Sequence, residues 1–207
     1  MIDLSVACSS KLRLKNPLMT ASGTFGYGDE VSDIVDTNIY GAIVSKSLSL
    51  NPRIGNPPPR ITETPGGMIN SIGLANIGLD RFLEEKEDYF RNYQGQLIVN
   101  VAGRTDDEYY EIIRRLDKVD WVKGFEINVS CPNVKKGGIQ FGTDPEFMFK
   151  LIKPMRDLTD KFLMIKLSPN VTNIAKMAEK VQKANCDAVS MINTLYGAAI
   201  DIYTRKP

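Results

Sequence analysis

The sequence has 207 residues, 43% of them hydrophobic, and its 26 Lys and Arg against 25 Asp and Glu leave a net charge of +1. That length carries one domain with a real core, and near-neutrality argues against a nucleic-acid binder, which usually shows a basic surplus, while leaving room for a local basic patch. No apolar run approaches the ~20 residues of a membrane span, and the opening MIDLSVACSSKLRLKNP lacks the basic-then-apolar order of a signal peptide, so a cytoplasmic protein working off the membrane is expected.

Histidine is absent, and Cys8, Cys131 and Cys186 stand far apart with no C-x-x-C pair. This pattern gives the chain no zinc ribbon and no iron–sulfur motif of its own, and no metal site is expected. Ser-His and Cys-His catalysis are excluded as well. Acid–base work falls to Cys, Lys, Tyr, Asp or Glu. An odd, sparse cysteine count suits a reducing cytosol.

In chain order, the pattern predicts an N-terminal hairpin (residues 4–6 and 13–14), a first strand at 17–20, a short helix at 31–36 and a second strand at 42–46. The proline- and glycine-rich segment NPRIGNPPPRITETPGG (51–67) is expected to be irregular. Residues 79–93 read as a helix, with Leu79, Phe82, Leu83, Phe90 and Tyr93 near helical spacing. A third strand follows at 97–101, then a helix at 106–116 with Thr105 as its cap. The fourth strand spans 124–129, and Asp144-Pro145 opens another helix. A fifth strand at 162–167, a helix at 173–184 and a sixth strand at 188–192 complete the series.

Short apolar strands alternating with amphipathic helices mean a parallel sheet. An open doubly wound sheet and a (β/α)8 TIM barrel both fit that alternation. The strand ends favour the barrel: Ser22, Lys46, Asn100, Asn128, Lys166 and Asn193 each follow or close a strand. Barrels collect chemistry at those ends, whereas an open sheet concentrates it at one switch point. The expectation is therefore a single α/β domain over 1–207 with about six of the eight strand–helix units, incomplete at the C-terminus, since a full barrel takes about 250 residues.

The motifs carry chemistry and plain structure side by side. GTFGYG (23–28) is glycine-rich, but its G-x-x-G-x-G spacing is not the dinucleotide fingerprint, and a turn after the first strand explains it equally. Lys46 and Lys166 lie at the ends of apolar strands, where lysine either snorkels or meets an anionic ligand. Asn70, Asn100, Asn128, Asn133 and Asn193 suit a ligand rich in amide or imide edges, and also suit turns. Cys131, followed by Pro132 and near Lys135 and Lys136, reads as a small buried hydrophobe or as a thiolate. Residues 51–67 and 135–138 read as lids or as surface loops.

In NVSCPNVKKGG (128–138), with NPLMTASGTFGYG, KS, NSIGLANIGLD, NVAGR, IKLSPNV and MINTLYGAAID in this order, the whole chain resembles the catalytic subunits of class 1 dihydroorotate dehydrogenases. The resemblance implies a (β/α)8 barrel with FMN over the strand ends and oxidation of (S)-dihydroorotate to orotate in pyrimidine biosynthesis. It implies Cys131 as general base for the C5 proton, the C6 hydrogen leaving as hydride to FMN. Lys46, Asn70, Asn128, Asn133, Asn193 and Thr194 match substrate-holding positions, together with the backbone of Ser71, Ile72, Gly73 and Leu74. Ser22, Lys46, Ser47, Asn100, Asn128, Lys166 and Ile192 match FMN-contacting positions. NVKKGG and NSIGLAN resemble subtype B, which implies a homodimeric core in a heterotetramer whose partner subunits carry FAD and a 2Fe-2S cluster and pass electrons to NAD. The fumarate-linked subtype A, and an inactive shortened chain that only interacts with a partner, are the alternatives.

Overall fold

In the computed structural model, which describes residues 2–130 and 141–205, five strands form one parallel sheet: β3 (Ala42–Val44), β6 (Gln96–Val101), β7 (Val122–Asn128), β8 (Phe162–Leu167) and β9 (Ala188–Met191). Their spatial order is their chain order, with α1 (Leu79–Asn92), α2 (Asp106–Asp117), α3 (Pro145–Ile152) and α4 (Ile174–Lys183) in the crossovers. Right-handed crossovers that always advance in one direction put every helix on the same face of the sheet. A doubly wound sheet reverses direction and covers both faces. The result is a partial parallel sheet with helices along one face, consistent with an incomplete barrel.

Side-chain alternation bears this out. Ile43, Leu97, Val99, Phe125, Ile127, Leu163 and Ile165 pack with Phe82, Tyr109, Ile112, Met148 and Val181 of the helices in one buried cluster. The residues between them, Ala42, Val44, Ile98, Phe162 and Met164, form a second cluster on the opposite face. There they meet Leu12 and Leu14 of the hairpin β1 (Val6–Ser9) and β2 (Leu12–Leu14), which covers the N-terminal end of that face. Each fully buried aliphatic or aromatic side chain contributes about 1.5–3 kcal/mol over leaving it in water.

Local chemistry sets the helix ends. Thr105, Asp144 and Asn173 accept the amides of Glu108, Phe147 and Lys176, so each supplies a partner for a first-turn N–H. Within α1 the core stripe is Leu79, Phe82, Lys86 and Phe90, with a lysine in an apolar register position. Its ammonium lies 2.6 Å from Asp29 and 5.3 Å from the Tyr27 ring centre.

Three expected elements differ. The first strand, 17–20, is reduced to a parallel bridge between Met19 and Ala42. The helix expected at 31–36 is absent. Asp29–Val31 and Thr37–Ile39 are single 3-10 turns, because the Ser32 hydroxyl donates to the Asp29 carbonyl and the Asp36 carboxylate takes the Asn38 amide, and these local bonds compete with helix. Residues 51–67 are not wholly irregular, since β4 (Ile61–Thr64) pairs antiparallel with β5 (Gly67–Asn70) around Pro65-Gly66. The prolines at 57–59 end before this hairpin and cost it no ladder bond. Among the described residues no helix is long and apolar enough to cross a membrane.

Candidate active site

The face of the sheet away from the helices changes character along the strands. Its N-terminal half is the apolar cluster against the hairpin, and its C-terminal half is polar. Parallel register sets Asn100 beside Glu126, Asn128 beside Lys166, and Lys166 beside Ser190. The Glu126 carboxylate is buried and accepts from Asn100 Nδ2 at 2.6 Å and from Ser190 Oγ at 2.6 Å. Lys166 Nζ stands 3.9 Å from Glu126 Oε1, close enough for charge attraction but too far for a hydrogen bond. One step nearer the strand ends, Asn128 Oδ1 accepts from Asn193 Nδ2 at 3.0 Å and from the Ser130 amide at 3.1 Å. Asn128 Nδ2 reaches Ser47 Oγ at 3.4 Å. Asn100 Oδ1 is buried with no hydrogen-bond partner among the described residues. A buried acceptor left open costs about 1–3 kcal/mol, so a donor of a bound molecule is its natural complement.

Lys46 joins this cluster through the backbone. The Ser45 hydroxyl bridges the Asn100 amide and the Lys46 carbonyl, and the Lys46 amide donates to Gly26 O at 2.8 Å. The GTFGYG loop therefore sits directly on the end of β3. Gly28, at φ 102°, is needed there twice over: its backbone is left-handed, and a Cβ would meet Ile43 Cδ1 at 2.9 Å. Buried Tyr27 and the Glu30 carboxylate that accepts its amide tie the loop to Lys86 of α1. Among the described residues Lys46 Nζ has no acidic partner.

Residues 70–78 form a second loop beside the strand ends. Its fastening is Asn76, whose side chain bonds the Ser49 amide and hydroxyl, the Leu74 carbonyl and the Gly78 amide. Ser49 lies three residues past Lys46. Gly73 and Leu74 both take positive φ, at 74° and 57°, and this reverses the chain toward Asn56, which bonds the Ser71 and Ile72 carbonyls.

After β7 the chain passes out of the described residues at Ser130 and returns at Phe141, so Cys131 and Asn133, with 135–138, lie outside them. Both ends of that segment are anchored at the strand end. The Gly142 amide donates to Val129 O at 2.7 Å, and Tyr109 Oη donates to Asn128 O at 2.6 Å. Gly103 lets the tyrosine approach, since a Cβ there would stand 2.6 Å from its ring. The other two thiols are held protonated: burial pushes Cys186 up to about 12 and raises Cys8.

The structure thus brings Ser47, Asn100, Asn128, Lys166 and Asn193 to one polar strand-end cluster, made of two hydrogen-bonded groups, Asn100–Glu126–Ser190 with Lys166 beside it and Ser47–Asn128–Asn193, with Lys46 on its border. It does not join Asn70, Ser71, Ile72, Gly73 or Leu74 to that network by any hydrogen bond among the described residues. Ser22 is half-buried in the loop before Lys46, while Thr194 and Ile192 lie exposed beyond β9. Glu126, Ser190 and Asn76 escaped the sequence reading. Residues 124, 126 and 128 share one face of a strand, so the acid at 126 faces wherever Asn128 faces.

The model of the family described as "Dihydroorotate dehydrogenase" matches residues 4–207. The chain is 52% identical over 205 residues to the "Dihydroorotate dehydrogenase B (NAD(+)), catalytic subunit" of Geotalea uraniireducens, covering 99% of this chain and 67% of that protein. The protein of the same name from Geotalea daltonii is 53% identical over the same shares. A crystal structure of DHODH from Eimeria tenella in complex with ferulenol superposes with a TM-score of 0.76 at 20% identity, over 95% of this chain and 61% of that one, a likeness of fold. The chain spans about two thirds of the length of the curated relatives it matches.

Proposed function

The chain belongs to the dihydroorotate dehydrogenase family, and from that premise we propose that it is the catalytic subunit of an NAD-linked, B-type enzyme that oxidises (S)-dihydroorotate to orotate in pyrimidine biosynthesis. The observation that carries this reading is the half-satisfied polar cluster of Asn100, Glu126, Asn128, Lys166 and Asn193 at the strand ends. The complete fold on this reading is a (β/α)8 barrel with the site at its C-terminal mouth. The curated relatives at 52 and 53% identity bear the NAD-linked name, which favours this subtype over the fumarate-linked one.

The residues present fit FMN. A flavin's pyrimidine ring offers an imide N–H to an open acceptor such as Asn100 Oδ1 and carbonyls to donors such as Lys166 and Ser47. Ser22, Lys46, Ser47, Asn100, Asn128, Lys166 and Ile192 are the residues to hold it. Bound FMN supplies the two-electron acceptor. The substrate loses a proton from C5 and a hydrogen with its electron pair from C6, and the C5–C6 double bond forms. Cys131 takes the C5 proton, a task open to a thiol whose surroundings favour the thiolate. The Lys46 ammonium pairs with the substrate carboxylate, while Asn70, Asn128, Asn133, Asn193 and Thr194 hold the pyrimidine edges with the backbone from Ser71 through Leu74. Lys166 places a cation where negative charge grows. Electrons leave through a partner subunit with FAD and a 2Fe-2S cluster, around a homodimeric core in the cytoplasm.

The purified protein with FMN, given dihydroorotate without oxygen, is expected to lose its visible flavin band. Cys131→Ala is expected to keep FMN and to slow that bleaching by at least about a hundredfold at neutral pH. Near-normal bleaching by the variant removes Cys131 as the base, and an unbleached parent protein removes the activity.

A further inference from the structure

Glu126 occupies the centre of the strand-end network, yet no step above uses it. It is 4% exposed, on the middle strand of the sheet, with Asn100 beside it in register on β6 and Met164 on β8. Each of its oxygens is engaged: Oε1 by Asn100 Nδ2 and Oε2 by Ser190 Oγ, both at 2.6 Å. The nearest cation among the described residues is Lys166, 3.9 Å away.

Two consequences follow from acceptor and donor chemistry. A carboxylate is acceptor-only, so it fixes which end of the Asn100 amide turns toward it. The NH2 group must face Glu126, because the reversed amide would set two acceptors against each other. The amide oxygen is thereby turned outward, and among the described residues it is a buried acceptor left without a partner. Second, the carboxylate partly cancels the Lys166 ammonium without capturing it. At 3.9 Å no N–H of the lysine is spent on Glu126, so the ammonium keeps donors for a ligand while its field is reduced.

We propose that Glu126 is a positioning residue of the cofactor site: its carboxylate orients the Asn100 amide and restrains the Lys166 ammonium beneath the flavin, and so sets the midpoint potential of bound FMN. This rests on the FMN reading of the site given above. A carboxylate beside the cation opposes the extra negative charge of the reduced cofactor and holds the potential down. Ser190, from β9 on the other side of β8, steadies the carboxylate from its far side.

The test is a redox titration of the purified full chain with FMN, in parallel with measurement of FMN affinity by fluorescence quenching. Glu126→Gln keeps the shape and removes the charge. Its midpoint potential is expected to rise by an amount that corresponds to about a tenfold change in the reduced-to-oxidised ratio, about 30 mV for a two-electron couple. In a Lys166→Met background the same substitution is expected to shift the ratio by less than about threefold, since the cation it offsets is gone. Ser190→Ala, a small cut that leaves the charge in place, is expected to move the potential the opposite way, by about threefold in the same ratio. Weakened FMN binding with an unchanged potential would make Glu126 a structural residue only. An equal shift in both lysine backgrounds would overturn the coupling to Lys166. Should Glu126→Gln not fold, an unmoved potential in Ser190→Ala overturns the proposal by itself. A parent protein that binds no FMN overturns the functional reading first, before any variant is compared.

Discussion

The sheet carries a buried acid–base pair at each end, and the two are built differently. At the N-terminal end Arg156 and Asp187 meet at 2.7 Å with side chains 8% and 12% exposed. Every group there is engaged: the guanidinium also bonds the Thr159 and Lys161 carbonyls, while Asp187 takes the Leu163 amide and has Lys11 at 3.5 Å. At the C-terminal end Lys166 and Glu126 are as deeply placed, at 13% and 5%, but stand 3.9 Å apart and leave Asn100 Oδ1 open. A saturated network fastens β8, β9 and the turn after α3 to one another. An unsaturated one at the same depth costs stability on its own and recovers it from a ligand. Saturation separates the structural pair from the functional one more clearly than burial or charge does.

The largest break in this contrast is expected from removing the two cations. Arg156→Ala leaves Asp187 buried beside only a lysine and an amide, and is expected to cost about 3 kcal/mol of stability in urea unfolding. FMN affinity per folded molecule should stay within about twofold. Lys166→Met is the mirror case. Glu126 keeps its two hydrogen-bond donors, so the stability loss is expected near 1 kcal/mol, whereas FMN affinity should fall at least about tenfold. Comparable stability losses at the two ends would remove the distinction.

A smaller cut sharpens it. Tyr109→Phe deletes the hydroxyl that holds the Asn128 carbonyl at 2.6 Å and touches neither cation. The expected cost is about 1–2 kcal/mol of stability, with FMN affinity weakened about threefold as Asn128 loses its support. If the hydroxyl matters only for packing α2 on the sheet, stability falls and affinity does not.

Much of this arrangement was legible in the residues. The fifth strand, FLMIKL, is an apolar run bounded by turn residues, and it emerged with the expected bounds. Thr105, Asp144 and Asn173 announced helix starts, because each can satisfy an amide that a helix leaves open. The strand-end rule found Asn100, Asn128, Lys166 and Asn193, since parallel strands deliver their last residues to one edge. The hairpin at 61–70 was hidden by the prolines before it, and the segment 31–36 was read as helix although the polar side chains in and around it bind their own backbone and carry no periodic signal. Glu126 was passed over for a different reason. An acid inside GFEIN reads as a misplaced surface residue until the partners from β6 and β9 are known, and those partners are 26 and 64 residues away. Cys131 was singled out by the residues, but its task as base came from the family resemblance, and it lies outside the described residues.

The least perturbing prediction concerns the closed end alone. Cys186 adjoins Asp187, and burial pushes its thiol from 9.0 up to about 12, an effect opposed by Arg156, Lys153 and Lys11 and reinforced by Asp187. Because the folded protein holds this proton more tightly than the unfolded chain, the stability it lends is complete below about pH 9 and drains away as pH climbs from 9 toward 12. Tyr27 and Tyr110, also pushed up to about 12 by burial, add a similar loss from pH 10 upward. The urea midpoint is therefore expected to fall between about pH 8 and about pH 10.5, and to fall less in Cys186→Ala, where only the tyrosine share remains. At about pH 8 iodoacetamide should modify Cys186 slowly in the folded protein and rapidly in urea, because the thiolate is the reacting form. Fast labelling in the folded state would mean that this end of the sheet opens to water, and the saturated network around Arg156 would then not be the fastening that its geometry describes.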